Sequence, residues 1–190
     1  SGAAFFDADV DGDLDLYMVN GSTFSSYERG SGNVYYRNDG GCFVDDTAHA
    51  GLGDRRWGAG VAVGDVDGDG LRDLYLTNYG ANALFLNSAS GQFVETTSGA
   101  EGSDFSASAA FIDYDQDGDL DLYVTNYVEF DIDPLLDDPR LWDPCVYLGG
   151  LRVFCGPVGL PGGEDRLYRN DGSGEFVDVT AHSFLEFASI

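Results

Sequence analysis

Aspartate at every second position is the chemistry this sequence offers first. Three stretches, DADVDGDLD (7–15), DVDGDGLRD (65–73) and DYDQDGDLD (113–121), match D-x-D-x-D-G-x-x-D. Position 1 is Asp7, Asp65 and Asp113; position 3 is Asp9, Asp67 and Asp115; position 5 is Asp11, Asp69 and Asp117; position 9 is Asp15, Asp73 and Asp121. Alternate residues of a tight loop point to one centre, and glycine at position 6 lets the backbone reverse there. The carbonyl of position 7, on Asp13, Leu71 or Asp119, then turns inward beside the position 9 carboxylate. Six or seven hard oxygens in a flexible ring suit Ca²⁺ better than Mg²⁺, which demands strict octahedral geometry. No loop holds His or Cys, so zinc and copper are poor candidates. The expectation is three Ca²⁺ sites.

The competing interpretation is three acidic turns without metal. Two carboxylates about 4 Å apart repel by roughly 4 kcal/mol at an effective dielectric near 20. Four converging carboxylates, repeated three times, are a heavy load on a fold of ordinary marginal stability. The EF-hand is excluded, because it needs glutamate at position 12 between helices. Position 12 here is Met18, Leu76 and Val124, inside strand-patterned segments.

The elements that must hold these loops repeat with them. GAAFFDADVDGDLDLYMVN from Gly2, GVAVGDVDGDGLRDLYLTN from Gly60 and SAAFIDYDQDGDLDLYVTN from Ser108 align, each a strand, the loop and a second strand. Leu14, Leu16 and Met18 fall on one face of that second strand, with Asp15, Tyr17 and Val19 on the other. Both faces are largely apolar, which predicts sheets packed between two others. A second hairpin alternates with the first: NVYYRNDGGCFVDDTAHAG from Asn33, NALFLNSASGQFVETTSGA from Asn82 and DRLYRNDGSGEFVDVTAHS from Asp165. Two hairpins give a four-stranded unit of about 50 residues, the size of a propeller blade. The predicted fold is all-β: one repeat domain over 1–190, with blade one at 1–52, blade two at 57–100 and blade three at 105–182. A long ordered loop at 128–163 interrupts blade three. A solenoid stack is the competing geometry. Three blades fall short of the four to eight that close a ring, so the chain is expected to be a fragment or part of an assembly.

Charge narrows the partners. The net charge is −25, there is no lysine, and 27 of the 34 acidic residues are aspartate, many of them in the three loops. That balance argues against nucleic acid or an anionic membrane surface and leaves cations as the attractive partners. No run of 18 apolar residues is present to span a membrane. SGAAFFDAD at the N-terminus lacks the blocks of a signal peptide and reads as the middle of a fold. Cys145 and Cys155 lie close together in a Gly- and Pro-rich insertion, which predicts a disulfide and an oxidising compartment. Cys42 stands alone, as a free buried thiol or an intermolecular bridge. His49 and His182 occupy the same place in two repeats, which favours a structural role over a catalytic one. Trp57 and Phe105, each preceding an acidic hairpin, are read as packing residues, and Asn20-Gly21-Ser22 is a glycosylation sequon. No nucleophile elbow, phosphate loop or dinucleotide fingerprint is present.

FFDADVDGDLDLYMVN and FIDYDQDGDLDLYVTN, together with LYRNDGSGEFVDVT, resemble the FG-GAP or VCBS repeats of integrin-like propellers. Within these the chain is most similar to the cartilage acidic protein and ASPIC/UnbV group, and CGPVGLPGGEDRLYRN after Cys155 resembles that group's cysteine-bearing insertion. The resemblance spans nearly the whole chain and implies structural Ca²⁺ loops on a propeller of a secreted or surface protein. It departs in having three repeats, no ASPIC/UnbV segment, and cysteine at 42 where threonine is common. The resulting expectation is a non-enzymatic, extracellular, calcium-stabilised scaffold or adhesion module, with self-association or further blades as its protein partner. A lectin or propeller enzyme acting on polysaccharide is the alternative, and glycan binding or turnover lost on changes outside the loops would favour it.

Overall fold

The computed structural model describes residues 2–23, 31–133, 145–147, 150–153 and 160–182, with the backbone alone for 145–147 and 151–153. It is an all-β protein of three four-stranded antiparallel sheets. The first sheet is β1 (Ala3–Phe6), β2 (Asp15–Met18), β3 (Val34–Asp39) and β4 (Cys42–Asp45), followed by a single turn of helix, α1 (Thr47–Ala50). The second is β5 (Gly58–Gly64), β6 (Asp73–Asn78), β7 (Ala83–Leu86) and β8 (Val94–Thr96). The third is β9 (Ser106–Ile112), β10 (Asp121–Asn126), β13 (Arg166–Asn170) and β14 (Phe176–Asp178). A two-stranded hairpin, β11 (Cys145–Tyr147) and β12 (Leu151–Val153), lies within the insertion. Cys155 is outside the described residues, and the expected Cys145–Cys155 bridge with it. Cys42 is a free, exposed thiol on β4.

Each sheet is a pair of hairpins clamped at both ends of the central strand pair. At one end an asparagine stands at or just beyond the end of the second strand, and its N–H donates to the side chain just before the third: Asn20 to Asn33 Oδ1, Asn78 to Asn82 Oδ1 and Asn126 to Asp165 Oδ1, all at 2.8 Å. At the other end stands the position 9 aspartate of the acidic loop. These bonds join the two hairpins through groups that the ladder alone would leave unpaired.

The sheets stack in sequence order and come closest at their first strands. A Cβ on Gly2 would sit 3.1 Å from the Gly60 Cα, and one on Gly60 would sit 3.1 Å from the Ala107 carbonyl. Between the first and second sheets, Phe6, Tyr17 and Tyr35 pack on Leu74, Leu76, Phe85 and Phe93. Between the second and third, Tyr75 and Leu84 pack on Leu122, Val124, Tyr168 and Phe176. The rule is the same at both junctions: the tyrosine face of one sheet meets the Leu-x-Leu face of the next. Each large side chain so buried is worth about 1.5–3 kcal/mol.

Burial on both faces, expected for every sheet, holds for the middle one, where β6 is buried from Asp73 to Asn78. In the first sheet Tyr17 and Val19 are buried while Leu14 and Met18 are exposed. In the third, Leu122 and Val124 are buried while Ile112 and Val177 are exposed. An apolar strand face is buried only where another sheet lies across it, and the outer sheets each have one neighbour within the described chain. At the end away from the acidic loops, Trp57 and Phe105 do pack together, their ring centroids 6.0 Å apart. The insertion begins on this cluster: the Ile132 N–H donates to the Tyr79 hydroxyl at 2.9 Å.

Candidate metal centre

Each acidic loop joins the first two strands of its sheet, and its geometry repeats. The position 1 carboxylate accepts the N–H of position 6: Gly12 to Asp7 at 3.0 Å, Gly70 to Asp65 at 2.9 Å and Gly118 to Asp113 at 3.3 Å. The backbone is left-handed at position 6, with φ of 95° at Gly12, 90° at Gly70 and 102° at Gly118. It is left-handed at position 4 as well, which the spacing of carboxylates did not reveal. There Val10 has φ 62° and Gln116 has φ 63°, while the second loop has Gly68. A β-branched residue in this region is strained, so the loop backbone is held against the preference of Val10.

The position 9 carboxylate is the buried pivot. Asp15 Oδ2 accepts from the Ala8 N–H at 2.9 Å and the Tyr35 hydroxyl at 2.9 Å, and its Oδ1 accepts from the Asn38 N–H at 2.7 Å. Asp73 takes the Val66 and Asn87 N–H groups, both at 2.9 Å; Asp121 takes those of Tyr114 at 3.0 Å and Asn170 at 2.9 Å. One side chain thus ties the acidic loop to the turn of the second hairpin. Asn38, Asn87 and Asn170 were missed as site residues, although their recurrence at one place in all three second hairpins was the available signal.

The structure brings positions 1, 3 and 9 together. Asp7, Asp9 and Asp15 form one group, Asp65, Asp67 and Asp73 a second, and Asp113, Asp115 and Asp121 a third, each with carboxylate oxygens within 4.8 Å of one another. Position 5 stands outside these groups. The carboxylates of Asp11, Asp69 and Asp117 instead accept the N–H two residues on, from Asp13, Leu71 and Asp119, at 2.8, 2.8 and 3.0 Å. Asp13, Leu71 and Asp119 lie half-buried at position 7.

The electrostatics favour a cation. Burial lifts the Asp73 carboxyl to about 6, and it raises Asp9, Asp67 and Asp121 above the usual range, with neighbouring aspartates adding to the rise. Asp9 Oδ1 and Asp113 Oδ1 are buried with no hydrogen-bond partner. A buried, unpaired carboxylate oxygen is costly unless a positive charge meets it. These all-oxygen donor sets fit a hard divalent ion.

The two histidines are placed alike. His49 sits at the end of α1, exposed and 3.3 Å from Asp46, and His182 at the end of a 3₁₀ turn, Thr180–His182. The threonine two residues before each receives the N–H of the third strand of its sheet, Tyr35 to Thr47 at 2.9 Å and Leu167 to Thr180 at 3.0 Å. Asn20 of the sequon donates its side-chain amide to the Gly32 carbonyl at 2.6 Å.

No curated protein matches the chain. The family of FG-GAP-like repeats matches it twice, over residues 7–76 and 65–124, a span that runs from the first acidic loop into the strand leaving the third. With the all-β sheets and the aspartate loops at the same places, the chain belongs to the FG-GAP-like repeat family.

Proposed function

We propose that this protein is a non-enzymatic, extracellular structural or adhesion module whose sheets are held in place by three Ca²⁺ ions. The ligands assigned to each ion are the carboxylates of positions 1, 3, 5 and 9 and the carbonyl of position 7. The observation that carries this reading is the threefold recurrence of one carboxylate triad at one place in three sheets. Position 9 supports it, being both a triad member and the bond between two hairpins, so a bound cation stiffens the sheet and not the loop alone. Membership of the cartilage acidic protein and ASPIC/UnbV group within the family rests on the LYRNDG and CGPVGLPGG patterns. Among the described residues no helix is long and apolar enough to cross a membrane.

The stacking rule supports a protein partner. The exposed Leu-x-Leu face of the first sheet matches the face that the second sheet buries against a tyrosine face. Its natural cover is another sheet of this kind, from further repeats or from a second copy.

Calcium at 100 times its Kd adds about 2.7 kcal/mol for each site, so three sites supply about 8 kcal/mol. A chelator should therefore lower the melting temperature sharply, and Ca²⁺ should restore it where an equal concentration of Mg²⁺ does not. An unchanged melt in excess chelator sinks the reading.

A further inference from the structure

We propose that Asn87 and Asn170 are positioning residues through which each of the first two metal loops depends on the sheet that follows it. The inference rests on the calcium reading and concerns what sets the shape of the loops. Position 2 of each loop, between the ligands at positions 1 and 3, is where the dependence arises.

In the first loop the N–H of Ala8 donates to Asp15 of its own sheet at 2.9 Å. Its carbonyl accepts from Asn87 Nδ2 of the second sheet at 2.8 Å, across 79 residues of sequence. In the second loop the Val66 N–H goes to Asp73 at 2.9 Å, and its carbonyl accepts from Asn170 Nδ2 of the third sheet at 2.7 Å, across 104 residues. Both ends of the residue between two metal ligands are thus fixed, one by its own sheet and one by the next. That fixes where the flanking carboxylates, Asp7 with Asp9 and Asp65 with Asp67, converge. The orientation of both amides follows from their other bonds, since Asn87 Oδ1 accepts from the Ser88 N–H at 2.8 Å and Asn170 Oδ1 from the Gly174 N–H at 3.1 Å. Asn170 also donates to the Leu120 carbonyl at 3.0 Å, so one amide group spans the second and third loops.

Contact follows the same path. A Cβ on Gly91 would stand 3.2 Å from the Cβ of Asp9, and one on Gly174 3.9 Å from the Cβ of Asp67, so the following hairpin lies directly over position 3. The third loop has the first bond, Tyr114 N–H to Asp121 at 3.0 Å, and among the described residues it lacks the second. Ala8 and Val66 are each 1% exposed, and Tyr114 is 39% exposed.

Hydrogen exchange read by mass spectrometry against calcium concentration gives a midpoint for each loop. Asn87→Ala should raise the midpoint of residues 7–15 about tenfold by orphaning a buried carbonyl, and leave residues 65–73 within about twofold. Asn170→Ala should weaken 65–73 and 113–121 and spare 7–15. Asn87→Ser keeps an acceptor for the Ser88 N–H but cannot reach Ala8, and should show the same selectivity at less risk to folding. Equal shifts in 7–15 and 65–73 for Asn87→Ala, or none, overturn the proposal, because a merely structural asparagine would loosen its own sheet first. If no loop of the unmutated chain gains protection from calcium, the calcium reading fails. The asparagine link is then judged without metal, where Asn87→Ala must still speed exchange in 7–15 and not in 65–73.

Discussion

The first and third aspartate loops share their spacing, their glycine and the strands on either side, but their surroundings differ. The second hairpin of the second sheet lies over the first loop: it buries Ala8, approaches Asp9 through Gly91 and bonds the Ala8 carbonyl. No described residue does this for the third loop, where Asp115 and Tyr114 face solvent. The same contrast separates the phenylalanines at or beside the start of each last strand. Phe93 and Phe176 are each 4% exposed against the preceding sheet, while Phe43, in the same motif, is 48% exposed. Their backbones repeat the difference, since the Phe93 N–H donates to the Ala50 carbonyl at 2.8 Å and the Phe176 N–H to the Ser98 carbonyl at 2.7 Å. What a repeat residue does here is decided by the neighbouring sheet as much as by its own motif.

The sharpest way to break that comparison is at the phenylalanines. Phe93→Ala should cost about 3–5 kcal/mol, the range for emptying a buried aromatic site. Phe43→Ala in the isolated chain should cost less than about 1 kcal/mol, as a surface change does. Chemical denaturation compares the two. If the exposed face is an interface, Phe43→Asp should abolish association seen by light scattering in millimolar calcium, with stability unchanged. Similar losses of stability for Phe43→Ala and Phe93→Ala would contradict the stacking rule.

A smaller effect sharpens the electrostatic half. In the calcium-free chain the Asp73 carboxyl is raised to about 6, and Asp9, Asp67 and Asp121 are raised with it. The folded state then holds protons that the unfolded chain has released above a pKa of about 3.9. Because the folded state binds more protons in this window, stability falls as pH rises from about 4 through 6. With calcium the direction should reverse, since protons and the cation compete for the same oxygens. Melting temperatures of calcium-free and calcium-loaded protein across that range test the sign, and parallel slopes contradict it.

Much of this was legible in the residues. The period-two alternation of carboxylates pointed to positions 1, 3, 5 and 9 as convergent, of which 1, 3 and 9 come together, and the Leu-x-Leu strands identified the sheets, because both patterns are local. Val10 and Gln116 in left-handed backbone were not legible, since only the second loop has glycine there. Nor was it legible that Asp11, Asp69 and Asp117 would each accept the backbone N–H two residues on. The Asn87 and Asn170 bonds span 79 and 104 residues, and no local pattern shows which carbonyl an asparagine will meet. Nor do three near-identical Phe-Val motifs reveal which one lacks a covering sheet.

Native mass spectrometry of the chain over a calcium titration tests the central claim most directly. The expected result is three Ca²⁺ per chain, with two retained as calcium falls and one, assigned to residues 113–121, lost at about tenfold higher concentration for want of the second bond at position 2. No bound calcium in metal-replete protein would contradict the account.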